Sequence, residues 1–143
     1  MRITIMIAVL LPLVGCGSQS TQKTDKLAEI LTETRWKYDE DAMLQILSAN
    51  NQDGKIEQRM KRNMAQMKDG YFIFKPDGRL QILLPKINIR GDWSVGDGIL
   101  NIKVDGSVNV PHPILKYTED RIECDIDEDR SSFPRVFVPA APN

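Results

Sequence analysis

Histidine and cysteine are nearly missing from this chain, and most metal and nucleophile chemistry is missing with them. Among 143 residues there are two cysteines and one histidine. A zinc site takes about three or four Cys, His or carboxylate ligands, and a lone His112 has no second imidazole to join it. A Ser-His-Asp relay has only this one ring to draw on, set between Pro111 and Pro113, where it reads as a loop residue. No glycine-rich run of the kind that cradles phosphate is present. A dominant charge is lacking as well. The 19 Lys plus Arg offset 20 Asp plus Glu, so no broad positive field invites nucleic acid. No apolar run reaches the ~20 residues that cross a bilayer as a helix. The apolar fraction of 41 %, part of it spent near the N-terminus, leaves a single domain with a small core. Neither enzymatic activity nor a cofactor is expected.

What is present begins at the N-terminus. Residues 1–15 place one cation, Arg2, ahead of a nearly unbroken apolar run from Ile3 to Gly15, the pattern of a secretory signal. Leu13-Val14-Gly15-Cys16 resembles the lipobox of bacterial lipoproteins. That resemblance implies cleavage before Cys16, a diacylglycerol thioether on its sulfur, and further acylation of the new amino group by a chain such as palmitate. One chain holds a protein marginally, at roughly 0.8 kcal/mol per buried CH₂, whereas two or three anchor it. Gly17 stands where an Asp would signal inner-membrane retention in enterobacterial-type sorting, so the periplasmic face of the outer membrane is the expected location. A plain secretory signal with an incidental Cys16 is the alternative. With Cys16 committed, Cys124 has no partner for an internal bridge. It alternates in phase with Ile122 and Ile126 and is expected to point inward as a small apolar residue.

Gly17 to about Lys26 is polar and lacks apolar periodicity, and residues 16–30 read as the lipid-bearing cysteine and a flexible tether. The domain is expected over 31–138, followed by a short tail over 139–143. A first strand is expected around Trp36 and Tyr38, then a short helix capped by Asp39 or Asp41. In a second helix Ile56, Met60, Met64 and Met67 share one face, opposite a basic surface, so the pair would cover a barrel end or pack on one side. Beyond Gly70, Pro76-Asp77-Gly78 and Gly96-Asp97-Gly98 each separate two short apolar runs, which is a hairpin signature. Glu119-Asp120-Arg121 echoes it, and Arg135 to Val138 is a last strand. The fold class is therefore mainly β, an antiparallel meander closing into a small barrel, with one or two helices between the first and second strands.

From Leu31 to Glu128 the chain resembles the lipocalin-like domains of small bacterial lipoproteins. The resemblance rests on Trp36-Lys37-Tyr38-Asp39, the methionine helix, Phe72 to Gly78, Gly91-Asp92-Trp93-Ser94-Val95 and Leu115 to Ile122. It implies a calycin-type barrel with an apolar ligand and offers no catalytic residues. Candidate ligand-binding residues are Trp36, Met60, Met64, Phe72 and Trp93, although the methionine stripe and the two tryptophans read first as core and only second as a ligand pocket. The alternative is a filled barrel that binds an envelope protein, as an inhibitor or assembly accessory. Asn51-Gln52-Asp53-Gly54 resembles the middle of a calcium loop, but Ala49 and Met60 fall where its first and last carboxylates belong. The acids of Asp125 to Asp129 read as a solvated loop, and Glu119, Asp120 and Glu123 as chance neighbours rather than a hydrolytic pair. No metal is expected.

Overall fold

A computed structural model describes residues 19–50, 54–125 and 134–140, with only the backbone of residues 19–23. The signal over 1–15, Cys16, the calcium-like residues 51–53 and the acids over 126–129 lie outside the described residues. The elements are α1 (Gln19–Glu33), β1 (Trp36–Tyr38), α2 (Glu40–Ala49), α3 (Gly54–Met67), β2 (Tyr71–Phe74), β3 (Arg79–Leu83), β4 (Asn88–Gly96), β5 (Ile99–Val104), β6 (Val110–Thr118), β7 (Arg121–Cys124) and β8 (Arg135–Pro139).

The strands join in chain order, all antiparallel, and β1 pairs with both β2 and β8 to close the barrel. Local chemistry sets the hairpins. Asp97 and Gly98 both take positive φ, 49° and 75°, the backbone that lets a two-residue turn follow the strand twist between Gly96 and Ile99. Gly78 adopts φ 81° in the turn between β2 and β3. Side chains then alternate across the wall. Trp36, Phe72, Phe74, Leu80, Ile82 and Trp93 point inward with Leu100, Ile102, Ile122 and Phe137, and are buried. Arg79, Asp92, Ser94 and Lys103 occupy outward positions and are exposed. This is the reverse of a lipid-embedded barrel, whose outer band is apolar.

Residues 19–30 are not a tether throughout, because α1 runs through them to Glu33. Leu27, Ile30 and Leu31 are 1 %, 5 % and 0 % exposed and join the barrel core. The polar stretch before Leu27 hides this helix from a periodicity reading, since its apolar residues are confined to its second half. The helix packs against β2 and β4, and the Trp36 indole N–H donates to the Leu31 carbonyl at 3.1 Å. The other end of the chain is also longer than expected. β8 includes Pro139, and Ala140 is buried, its N–H bonded to the Arg35 carbonyl at 2.9 Å.

Asp39 caps α2, its carboxylate accepting from the Ala42 N–H at 3.1 Å. The methionine face of α3 packs with Met43 and Leu47 of α2 and with Val136. Val136 is the outward neighbour of Phe137 on β8, so the helical pair covers the outer wall there. The last turn of α3, with Met64 and Met67, reaches the barrel rim.

Candidate functional site

The two ends of the barrel differ. At one, α1 docks over the hairpin turns; at the other, where α3 hands over to β2, a cavity of about 360 Å³ opens. Its apolar wall comes from Phe72 on β2, Ile82 on β3, and Ile102 and Val104 on β5, with Met64 and Met67 at the helical edge. Val110 and His112 on β6, Tyr38 on β1 and Arg135 on β8 line the remainder, with Asn63, Gln66 and Ser107 at the rim. A volume of ~300–1,000 Å³ with a few convergent polar groups characterises small-molecule sites. A larger hollow, about 510 Å³, lies at the α1 end beside Thr24, Leu27 and Val95. Its charges, Asp97 and Lys116, are surface groups on the outer turns and strands, so the mouth is the better candidate.

The five residues singled out from sequence divide between lining and filling. Met64 and Phe72 line the mouth. Trp36 and Met60 are fully buried in the two core clusters, Trp36 inside the barrel and Met60 between the helices. Trp93 packs edge-on against Phe74 with ring centres 5.3 Å apart, and its indole N–H donates to the Lys75 carbonyl at 2.9 Å. The aromatic centre is continuous: Tyr38 lies 4.8 Å from Phe72 and 4.9 Å from Phe137.

His112 is not a loop residue. It sits in β6 opposite Leu100, points inward and is 7 % exposed. Its flanking prolines are compatible with a strand here because their nitrogens face away from β5. The Ile114 N–H donates to Gly98 on the β5 side, whereas the Pro113 carbonyl accepts from Asp125 on the β7 side. At Pro111 and Pro113, therefore, no N–H is asked for by the ladder with β5. Burial, aided by the Arg135 charge, pushes the His112 pKa from 6.5 down to about 3. Cys124, inward as expected, is pushed up to about 12, burial outweighing the opposing pull of Arg135. The thiol is therefore protonated at neutral pH, and its nucleophilic form is scarce. Burial also raises the Tyr38 pKa, against the influence of Arg135, whose side chain hydrogen-bonds the hydroxyl.

The His112 shift makes a stability prediction. Between pH 6.5 and 3 the unfolded chain binds a proton that the folded chain refuses, so stability is full above pH 6.5 and declines on acidification. By pH 5 the loss is about 2 kcal/mol. Urea unfolding of wild type and His112→Leu at pH 7.5 and 5 should show the variant losing less by that amount. Equal losses would exclude the effect.

The acids read as chance neighbours are separated. Glu119 and Asp120 lie exposed at the turn between β6 and β7. Glu123 is held on the outer wall by Arg121 and by Lys116 at 3.3 Å. Burial opposes its ionisation, but these hydrogen bonds carry its pKa below the ordinary value. Among the described residues, no group of three or more His, Cys, Asp or Glu is placed to hold a metal, and no helix is long and apolar enough to cross a membrane.

Sequence reasoning missed Arg135 and Tyr38 as site residues. The available signal was strand alternation: Arg135 is in phase with the inward Phe137, so a formal charge faces an apolar interior. Compared with protein-family models, with curated proteins and with solved structures, the chain matches none.

Proposed function

We propose that this chain is a lipid-anchored cell-envelope lipoprotein whose lipocalin-like barrel binds a small apolar ligand at its mouth and catalyses no reaction. The cavity of about 360 Å³ edged by Met64, Met67 and Phe72 carries this reading, because an apolar wall with a few polar groups converging on it is the usual make-up of a small-molecule site. The lipobox-like Leu13-Val14-Gly15-Cys16 supports the anchor. The Cys124 thiol, held protonated by burial, supports a binding role over nucleophilic catalysis. A second reading, a module that docks an envelope protein, is favoured by Ile87 and Val108. They stand 61 % and 69 % exposed on the loops at the same end of the barrel.

The neutral fluorophore N-phenyl-1-naphthylamine tests the first reading. Saturable binding to wild type is expected, weakened at least tenfold by Val110→Trp, which fills the cavity from its wall. Unsaturable binding, or binding indifferent to Val110→Trp, would refute it. Radioactive palmitate tests the anchor: incorporation should disappear in Cys16→Ser, and equal labelling of both forms would rule it out.

A further inference from the structure

The hollow beside α1 is lined by side chains that the barrel core leaves half covered at that end. Leu27 of α1, buried in the core, also lines the hollow, and Val95 on β4 with Ile114 and Tyr117 on β6 packs on the same core from its sides. β6 breaks register with β7 between Ile114 and Lys116, and Leu115, in the break, stands 62 % exposed on the wall of the hollow. A bulge of this kind re-aims a side chain, and here the re-aimed side chain is apolar. Among the described residues, the two charges that line the hollow, Asp97 and Lys116, are exposed and of opposite sign. The result is an apolar groove of about 510 Å³ with no net charge to answer a headgroup.

α1 brings the N-terminal chain to this groove. Gln19 begins the helix, and Thr24, ~7.5 Å further along its axis at 1.5 Å per residue, lines the groove. Three peptide units separate Cys16 from Gln19, a reach of at most ~11 Å. An acyl chain that fills one leaflet, half of a ~30 Å hydrocarbon core, adds ~15 Å. The mouth lies further off, since β4 alone runs nine residues between the two ends, ~26 Å at ~3.3 Å per step. From this placement we infer that the groove beside α1 shelters one acyl chain of the lipid on the protein's own Cys16 whenever that lipid is out of a bilayer. This rests on the lipid-anchor reading above. A chain held by so short a link meets the groove at an effective concentration on the order of mM, which favours it over free lipids. A volume of about 510 Å³ is that of a single-ligand site, so one chain of the anchor is held and the others are not. Hydrocarbon gains by leaving water but not by leaving other hydrocarbon. The groove therefore fills in aqueous solution and empties as the chain enters a membrane.

The test uses the full lipoprotein from cells fed a palmitate analogue that carries a photoreactive diazirine in its chain. After transfer to detergent-free buffer and irradiation, peptide mass spectrometry maps where the chain has inserted. Insertions should concentrate at Thr24 to Leu27, Val95 to Gly98 and Ile114 to Tyr117. They should fall about fivefold or more when the same protein sits in vesicles of phosphatidylethanolamine and phosphatidylglycerol. Leu115→Asp sets a charge on the groove wall at an exposed position and should lower them about threefold or more, while Ile87→Asp, similarly exposed at the mouth, should leave them unchanged. An isotope-labelled Cys16→Ser chain mixed in at equal concentration should stay unmodified. Insertion into that chain as often as into the lipidated one would overturn the intramolecular assignment. Insertion spread over the whole surface, or unchanged by Leu115→Asp, would overturn the groove as the site, and equal insertion in buffer and vesicles would overturn the exchange with the membrane. Failure of the wild type to incorporate the analogue at all would bring down the anchor reading, and this inference with it. The wild-type map decides the question even if a variant does not fold.

Discussion

Trp36→Ala is expected to destabilise the protein by about 4 kcal/mol, the middle of the range for removing a buried aromatic side chain. Trp36 is fully buried, and it lies where three elements meet. It opens β1, whose three residues pair with β8 and whose first also pairs with Phe72 of β2. Its indole N–H, 3.1 Å from the Leu31 carbonyl, satisfies one of the last carbonyls of α1, which has no partner within the helix. Alanine therefore leaves both a cavity and an unmet acceptor. Trp36→Phe separates the two contributions, since it keeps most of the apolar bulk and loses the bond, at about 1 kcal/mol plus any packing loss. Urea unfolding checks both, with a shift in midpoint at constant slope as the expected form. A loss under about 1 kcal/mol for Trp36→Ala would mean that the junction of α1, β1 and β8 does not hold the barrel closed.

The elements that sequence made legible are those whose determinants are local. Asp97 and Gly98 carry their turn in two adjacent residues, Asp39 caps α2 from one position, and the face shared by Met60 and Met64 is set by a spacing of four. The alternation that placed Cys124 inward is equally local. α1 is different, because its first half is polar and its helical state is stabilised by Leu27, Ile30 and Leu31 docking on strands far along the chain. The mouth is different for the same reason. Arg135, His112 and Tyr38 come from three strands, and nothing within a short window of any of them indicates the other two. The two prolines that flank His112 point to a loop when the sequence is taken alone. Only the register of β6 on β5, which turns both proline nitrogens away from β5, makes those prolines acceptable in a strand.

Leu27→Ala is the sharpest test of α1 as part of the domain. Leu27 is 1 % exposed in the core that also holds Phe74, Trp93 and Leu100, so truncation should cost about 3 kcal/mol. Its exposed neighbour Lys26, changed to alanine, should cost within about 0.5 kcal/mol of nothing. A tether would give two silent substitutions, and finding both silent in urea unfolding would detach α1 from the fold. The outcome bears on the proposed function through geometry. α1 docks on the end opposite the mouth, with Thr24 and Leu27 beside Val95 and the turn at Asp97 and Gly98. The described chain therefore enters the domain at the end away from the mouth. If Cys16 is lipidated as proposed, docking of α1 keeps the anchored end and the ligand entrance at opposite poles. Leu27→Ala, by loosening α1, should then weaken that polarity along with stability, whereas Val110→Trp should block the mouth and leave α1 undisturbed.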